Sequence, residues 1–386
     1  MFIVITIWIV SAFFSFGFIG LNYVLSAHAA KKPWRIKKKG DYSPKISIIV
    51  PTYNEAKVIE YKLKNLAKLK YPQDRLEMVF VDSNSQDSTV NHLLKFAKKN
   101  KDLRVTILVE KKRRGKSAAL NAALKRCEGN VIVISDADCF WPSDILMKSL
   151  PFLTDPTVGA VSGPKKLLNS ESSSVTKSEE VYLRSMNLIK LGESKFCCTM
   201  LFEGGFSAYK REILDSFDPY NTGSDDCGTL ITLFKKKSRA IMVQEAEFFT
   251  TFPETWNGKI KMKKRRANQL VRLISRYALL LFSNKVKIAR GIVTKNIVLY
   301  LVSPFAFVCL LITTVYFFLK FPLASIFLIA LAIPKLRLYF IEVVFNYSIL
   351  LQSMVLVILG KRFKTWKKPL DRMLLEEKSL LQRGLI

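Results

Sequence analysis

Three long apolar stretches constrain this chain more than any other feature of its sequence. Residues 1–30, residues 296–319 and the stretch from Val343 to Gly360 contain no Lys, Arg, Asp or Glu. A helix needs about 20 apolar residues to cross the hydrocarbon core of a bilayer, so each stretch is close to the length of a span. The chain therefore does not fit a simple soluble enzyme, a disordered tail protein or a small disulfide-rich domain.

Basic residues beside the apolar stretches predict how the chain is oriented. The first stretch lacks a basic start and exceeds the short apolar core of a signal peptide, although Ala27-His28-Ala29 loosely matches a cleavage site. Six Lys and Arg follow at residues 31–39, and such flanks stay in the cytoplasm. We expect residues 1–30 to form a retained anchor with its N-terminus outside, followed by a basic linker (31–44).

The C-terminal part, residues 296–360, is predicted to cross the membrane twice. The segment from Phe321 to Pro334 has only 14 residues and is predicted to be interfacial or re-entrant. A basic tail, residues 361–386, follows the last stretch, and its cytoplasmic position requires three spans in total. The sequence thus predicts an integral protein of the cell membrane, prokaryotic by default, with a cytoplasmic middle region.

The middle region alternates between short apolar runs and amphipathic segments. Strands are predicted over 45–50, 76–81, 105–109 and 131–135, and helices over 55–69, 88–99 and 116–126. This alternation predicts an α/β fold with a parallel sheet covered by helices on both faces. Ligands of such sheets bind at the carboxyl ends of the strands.

Polar and charged side chains follow these strands, where a ligand would bind. They are Asn54 and Glu55, Asp82 and Asp87, Arg113, Arg114 and Lys116, and Asp136 and Asp138. Each one alone has an ordinary structural explanation as a cap or turn residue. Their convergence on one edge suits a metal–diphosphate ligand. If the chain stays extended at Asp136-Ala137-Asp138, both carboxylates point to one side and can share Mg²⁺ or Mn²⁺.

The charge of the chain is consistent with such a ligand. Lys and Arg number 61 against 31 Asp and Glu, which gives a formal charge of +30. Much of this excess suits a surface beside anionic lipid, and no nucleic-acid signature accompanies it, so nucleic acid is not an expected partner. The two His and six Cys, without a CxxC pair, argue against a structural zinc site.

Four motifs in order carry a resemblance to a known family. VPTYNE (50–55), VDSNSQDST (81–89), GKSAALN (115–121) and SDAD (135–138) resemble the family 2 glycosyltransferases, in particular the membrane-embedded branch of cellulose, hyaluronan and poly-N-acetylglucosamine synthases. The resemblance implies a Rossmann-like GT-A domain over 45–252, followed by basic amphipathic interfacial helices over 253–295. It also implies a nucleotide site at Pro51, Tyr53, Glu55, Asp82, Lys116 and Asp136, with Asp138 as the direct metal ligand.

The second half of the region resembles the family with departures. Glu203, Gly204 and Gly205 resemble the segment that borders the acceptor, and Asp225-Asp226 resembles the Glu-Asp pair whose second member is the general base. Gln269 and Arg272 match the QxxRW signature, with Leu273 in place of Trp, which places processivity in doubt. A basic helix on the membrane surface explains the same segment structurally.

The implied reaction is metal-dependent, inverting transfer of a sugar from a nucleotide-diphosphate sugar, with UDP-sugars favoured, to a glycan or lipid-linked acceptor. Two types of product are open. One is a β-glycan made processively, and the other is a lipid, such as polyprenyl phosphate, to which one sugar has been transferred. A nucleotidyltransferase would instead release pyrophosphate. A membrane-bound basic protein that binds nucleic acid or lipid would show salt-sensitive binding and no turnover.

Overall fold

The computed structural model describes residues 1–283, 285–322, 332–363 and 377–386. Its strands are β1 (Ile46–Thr52), β2 (Leu76–Asp82), β3 (Arg104–Val109), β4 (Val131–Ile134), β5 (Cys139–Phe140), β6 (Val158–Ser162), β7 (Lys165–Leu167), β8 (Ser207–Lys210), β9 (Arg239–Met242) and β10 (Phe248–Thr250). Its helices are α1 (Phe2–Ala12), α2 (Phe18–Ala30), α3 (Ile59–Ala67), α4 (Thr89–Lys99), α5 (Lys116–Leu124), α6 (Ile145–Ser149), α7 (Ser174–Phe196), α8 (Leu230–Lys235), α9 (Trp256–Phe282), α10 (Arg290–Ile297), α11 (Ser303–Lys320), α12 (Pro334–Ile358) and α13 (Glu377–Gln382).

The central sheet has seven strands in the order β3-β2-β1-β4-β8-β6-β9. The four strands predicted from the sequence, β1 to β4, pair in parallel, whereas β8 runs antiparallel to both of its neighbours. Near-continuous apolar runs such as β4, buried along its whole length, are typical of strands covered on both faces. The mixed α/β fold with a mostly parallel sheet is therefore confirmed.

A second sheet of three strands, in the order β5-β10-β7, lies beside the end of β4. Its strand β5 follows Asp138 directly, and β10 pairs antiparallel with β5 and parallel with β7. This small sheet connects the acidic residues after β4 to Lys165 at the start of β7.

Within the described residues, three helices are long and apolar enough to cross a membrane: Phe2–Ala30, Arg290–Lys320 and Phe340–Ile358. This agrees with the three spans expected, except that the second helix begins at Arg290, six residues before the predicted stretch. Most of the segment predicted to be interfacial (321–334) and part of the basic tail (364–376) lie outside the described residues.

Helix α9 was predicted to belong to an interfacial set, and its apolar face packs against the α/β region. Leu273, Ile274 and Tyr277 are at most 1% exposed and belong to the same apolar core as residues of β1, β2 and β4. Helix α9 therefore shares the apolar core that includes residues of β1, β2 and β4. The prediction that the segment lies on the membrane surface stays a prediction.

Candidate functional site

A cavity of about 450 Å³ opens at the carboxyl ends of β1 and β4. Its wall brings together all but one of the residues to which the family resemblance assigns a role, and these come from distant parts of the chain. They are Pro51, Tyr53, Glu55, Lys116, Asp136, Asp138, Glu203, Gly204, Gly205, Asp225, Asp226, Gln269 and Arg272. The parallel strands thus deliver their terminal residues to one edge, as expected.

Asp82 is the predicted site residue that does not line this cavity. It ends β2, is fully buried, and accepts hydrogen bonds from Thr52 Oγ1 at 3.0 Å and from the backbone nitrogen of Ser85 at 2.8 Å. These bonds hold the turn after β2 against β1. A contact of Asp82 with the nucleotide stays a prediction.

The two carboxylates of Asp136 and Asp138 lie close together, but not because the chain is extended. Strand β4 ends at Ile134, and the chain turns, with the backbone nitrogen of Cys139 donating to the Asp136 carbonyl at 3.2 Å. Ligand atoms of Asp136, Asp138 and Cys139 lie within 4.8 Å of one another. Two carboxylates fit Mg²⁺ or Mn²⁺, which prefer oxygen ligands, whereas the Cys139 sulfur is a softer donor that fits these ions less well.

Lys116 connects these carboxylates to the second acidic pair. It begins α5 after Gly115, whose φ of 101° is accessible mainly to glycine. Its Nζ lies 2.7 Å from Asp136 Oδ1 and 2.7 Å from Asp225 Oδ2. Burial alone would lower the pKa of Lys116, but Asp136 and Asp225 hold that pKa well above its usual value.

Asp225 and Asp226 have different surroundings although they are neighbours in the chain. Burial raises the pKa of Asp225 to about 6; Lys116 opposes this rise, while Asp226 and Asp136 add to it. Asp226 Oδ1 accepts hydrogen bonds from Ser224 Oγ at 2.6 Å and from the backbone nitrogen of Cys227 at 2.7 Å. One carboxylate is therefore bound to a cation, and the other is oriented by neutral donors.

A buried carboxylate that sequence motifs did not single out, Asp218, shapes the loop before this pair. Its Oδ1 accepts from the Thr222 backbone at 2.8 Å, and its Oδ2 accepts from the Gly223 backbone at 2.7 Å. Burial raises its pKa despite these bonds. The turn-forming residues of 218–223 are the sequence signal that could have identified this loop.

The glycine pair lies where side chains would collide with the site. A Cβ on Gly204 would lie 2.6 Å from Lys116 Nζ, and a Cβ on Gly205 would lie 2.1 Å from the ring of Phe248. Glu203, the preceding residue, binds Lys190 Nζ at 2.7 Å and Lys165 Nζ at 3.0 Å. Neither lysine belongs to a recognisable motif, and both were missed in the sequence.

Gln269 and Arg272 lie one turn apart on α9 and both line the cavity, as their spacing predicted. The Arg272 guanidinium donates to the carbonyl of Asn221 in the loop before the acidic pair. Leu273, in the position of the expected Trp, is 1% exposed and packs in the core. On the opposite wall, the Arg113 guanidinium lies 3.7 Å from the ring centroid of Tyr53.

Comparisons with known proteins identify the family of this chain. The family model described as Glycosyl transferase family 2 matches residues 47–217. The solved structure of the mannosyltransferase PcManGT from Pyrobaculum calidifontis, in complex with GDP-Man and Mn²⁺, is 30% identical, with a TM-score of 0.79 over 93% of this chain and 100% of that chain. The chain belongs to glycosyl transferase family 2.

Curated members of family 2 match shorter parts of the chain. A β-monoglucosyldiacylglycerol synthase from Nostoc is 35% identical over 166 residues, which are 42% of this chain and 36% of that enzyme. A poly-β-1,6-N-acetyl-D-glucosamine synthase from Staphylococcus aureus is 27% identical over 226 residues, 58% of this chain and 53% of that enzyme. The chain thus spans about a third to a half of these relatives' lengths.

The family 2 match ends before several of the residues in the cavity wall. Residues 47–217 contain the first four motifs and the Glu203-Gly204-Gly205 segment, whereas Asp225, Asp226, Gln269 and Arg272 lie beyond them. These four reach the site through the loop after β8 and through α9. Their individual roles stay predictions.

Proposed function

We propose that this protein transfers a sugar, with inversion, from a nucleotide-diphosphate sugar to an acceptor at the membrane. The observation that carries the proposal is the position of Lys116 between Asp136 and Asp225, each 2.7 Å from its Nζ. This arrangement places the carboxylates suited to a metal–diphosphate beside a second acidic pair in one cavity. Donor and acceptor chemistry would then meet within hydrogen-bonding reach.

Asp226 is assigned the role of general base. A sugar hydroxyl is a poor nucleophile near neutral pH, and a positioned carboxylate that removes its proton typically contributes roughly 10²–10⁴-fold. Ser224 Oγ and the Cys227 nitrogen hold the Asp226 carboxylate in one orientation. The acceptor oxygen attacks the anomeric carbon as the bond to the nucleotide diphosphate breaks, so an α-linked donor gives a β-linked product.

The leaving diphosphate is assigned to cationic groups of this chain. Lys116 and Arg272 line the cavity and would bind its phosphate oxygens. Asp136 and Asp138 would hold Mg²⁺ or Mn²⁺, and an ion held there supplies further positive charge to the diphosphate. The Mn²⁺ bound in PcManGT supports a divalent ion in this chain.

The donor is proposed to be a UDP-sugar, on the resemblance of the motifs to UDP-sugar enzymes. GDP-mannose is the second candidate, because PcManGT was solved with GDP-Man and is similar over 93% of this chain. The acceptor is proposed to be a glycan or a lipid-linked molecule, because Tyr300, in the helix that forms the second candidate span, lines the cavity. We place the α/β region in the cytoplasm and the three helices in the cell membrane, on the basic residues that follow Ala30.

The test is nucleoside diphosphate release by the purified full-length chain in lipid, with a panel of UDP-sugars and GDP-mannose. We expect release from one donor with Mn²⁺ or Mg²⁺ and none with EDTA. The variant Asp138→Asn should lose at least a hundredfold in rate, whereas the exposed control Asp102→Asn should match the wild type. Sizing the product separates a polymer from a single transfer. A folded protein without release from any donor, with membrane lipid present, contradicts the proposal.

A further inference from the structure

A cluster of three cations surrounds Glu203 in the cavity wall, away from the acidic residues assigned to the donor. Lys190 Nζ and Lys165 Nζ bind the two oxygens of Glu203 at 2.7 Å and 3.0 Å. Arg266, on α9, lines the same cavity. We refer to Lys165, Lys190, Arg266 and Glu203 as the basic subsite.

The basic subsite has more positive charge than its own carboxylate neutralises. Both lysines are 4% exposed, and the Arg266 guanidinium has no ion pair with a carboxylate among the described residues. A second carboxylate, Glu179, lies 3.2 Å from Lys263 Nζ and adds one anion and one cation to this group of charges. Counting Lys263, four cations therefore face two carboxylates, and the two lysines bound to Glu203 are buried, where uncompensated charge is costly.

The pKa values of Lys165 and Glu203 agree with this excess, whereas Glu203 raises the pKa of Lys190 against the effect of burial. Burial and the neighbouring Arg266 and Lys190 lower the pKa of Lys165. Burial would raise the pKa of Glu203, but Lys165, Lys190 and Arg266 hold it far below its usual range. The subsite is thus a region of positive potential that favours an anion.

The basic subsite lies on the far side of the small sheet from the metal carboxylates. Lys165 of β7 pairs with Phe248 of β10, and β10 pairs in turn with β5, which follows Asp138. Two strand spacings separate β7 from β5, about 10 Å. Glu203 connects the two regions, because the next residue, Gly204, lies against Lys116.

We propose that the basic subsite binds a phosphate group of a lipid acceptor, while a hydroxyl of the same acceptor reacts beside Asp226. This inference rests on the proposed function and adds the chemical class of its acceptor. A phosphate accepts charge-assisted hydrogen bonds from several cations at once, which suits Lys190, Lys165 and Arg266. The membrane source follows from Tyr300, which lines the same cavity from a candidate span.

Binding of short-chain lipids to the full-length protein in neutral detergent tests this, measured by calorimetry without donor. Dihexanoyl phosphatidylglycerol has both a phosphate and alcohol hydroxyls, dihexanoylglycerol has a hydroxyl but no phosphate, and farnesyl phosphate has a phosphate but no alcohol hydroxyl. We expect both phosphate probes to bind at least tenfold more tightly than dihexanoylglycerol.

In the assay of nucleoside diphosphate release, phosphatidylglycerol should serve as acceptor and farnesyl phosphate should only compete with it. Turnover of farnesyl phosphate as an acceptor overturns the assignment of a hydroxyl nucleophile.

The matched variants are Arg266→Gln and Lys264→Gln, which remove equal charge from the same helix; Lys264 is exposed and outside the cavity wall. Arg266→Gln should weaken phosphatidylglycerol binding about tenfold or more, because it removes a charge-assisted hydrogen bond to the phosphate. Arg266→Lys should restore part of it, and Lys264→Gln should stay within twofold of the wild type.

Equal weakening of binding by Arg266→Gln and Lys264→Gln would mean general attraction to a basic surface and would overturn the subsite. Equal binding of dihexanoylglycerol and the two phosphate probes would also overturn it. The calorimetric result needs no donor turnover. A wild type that binds phosphatidylglycerol selectively but releases no nucleoside diphosphate from any donor contradicts the proposed function and leaves the anion subsite supported.

Discussion

Lys116 Nζ lies 2.7 Å from Asp225 Oδ2, and this contact joins the first turn of α5 to the loop before α8. The same ammonium group is bound to Asp136 at 2.7 Å. A lysine shared by two carboxylates keeps both acidic regions at fixed distances from each other. A change at any one of the three groups is therefore expected to disturb the other two.

The base assignment predicts a separation of binding from chemistry in Asp226→Asn. The amide keeps the shape of the side chain and removes its basicity, so transfer should fall by roughly 10²–10⁴-fold. Nucleotide affinity, measured by calorimetry, should stay within a few-fold, because Asp226 does not contact Lys116. Equal loss of nucleotide binding and transfer would reject the assignment.

Gly204→Ala should lower activity without unfolding the protein. The added Cβ would lie 2.6 Å from Lys116 Nζ, the flexible end of a side chain, so we expect the ammonium to move rather than the backbone. A transfer rate at least tenfold lower, with a melting temperature within a few degrees of the wild type, is the expected result. Gly40→Ala, which meets nothing within 4 Å, is the matched control. Full activity of Gly204→Ala would show that the position of Lys116 is not critical.

The raised pKa of Asp225 predicts that the stability of the metal-free protein depends on pH. The pKa of Asp225 is raised from 3.8 to about 6, which means that the folded state holds this proton more tightly than the unfolded state does. The stability that the protonated Asp225 contributes is therefore fully present below pH 3.8 and is lost as pH rises through 6. A rise of this size corresponds to a difference of roughly 3 kcal/mol in the free energy of unfolding. Asp225→Asn should therefore gain stability relative to the wild type between pH 4 and pH 7, measured by thermal unfolding in EDTA. A stability difference that is independent of pH contradicts the raised pKa, and Asp102→Asn should show none.

Residues 377–386 contribute to the stability of β5, the strand that follows Asp138 directly. Leu385 is 1% exposed, packs in one cluster with Phe140 of β5 and Phe249 of β10, and its carbonyl accepts from Asn65 Nδ2 at 2.6 Å. Leu385→Ala should cost about 2–5 kcal/mol, the usual range for a buried leucine. Thermal unfolding measures the loss, and Leu381→Ala, 57% exposed, should be nearly neutral. Equal stability of the two variants would mean that this cluster is not part of the cooperative fold.

Local patterns in the sequence predicted much of the fold. Residues 76–81 and 131–135 differ from β2 and β4 by one residue each, because buried apolar runs and their turn residues are local signals. The three candidate spans follow from uninterrupted apolar length. The sheet order beyond β4, including the antiparallel β8, had no such signal.

The candidate site, like the fold, could be predicted only in part from the sequence. By itself the sequence determined which side chains end the strands, since parallel strands bring Glu55 and Asp136 to one edge wherever the sheet forms. Only the tertiary structure decided that Lys116 lies between Asp136 and Asp225, and that Lys165 and Lys190 both bind Glu203. The physical reason is that motifs record short-range geometry, whereas ion pairs between distant residues depend on how the two sheets, α7 and α9 pack together.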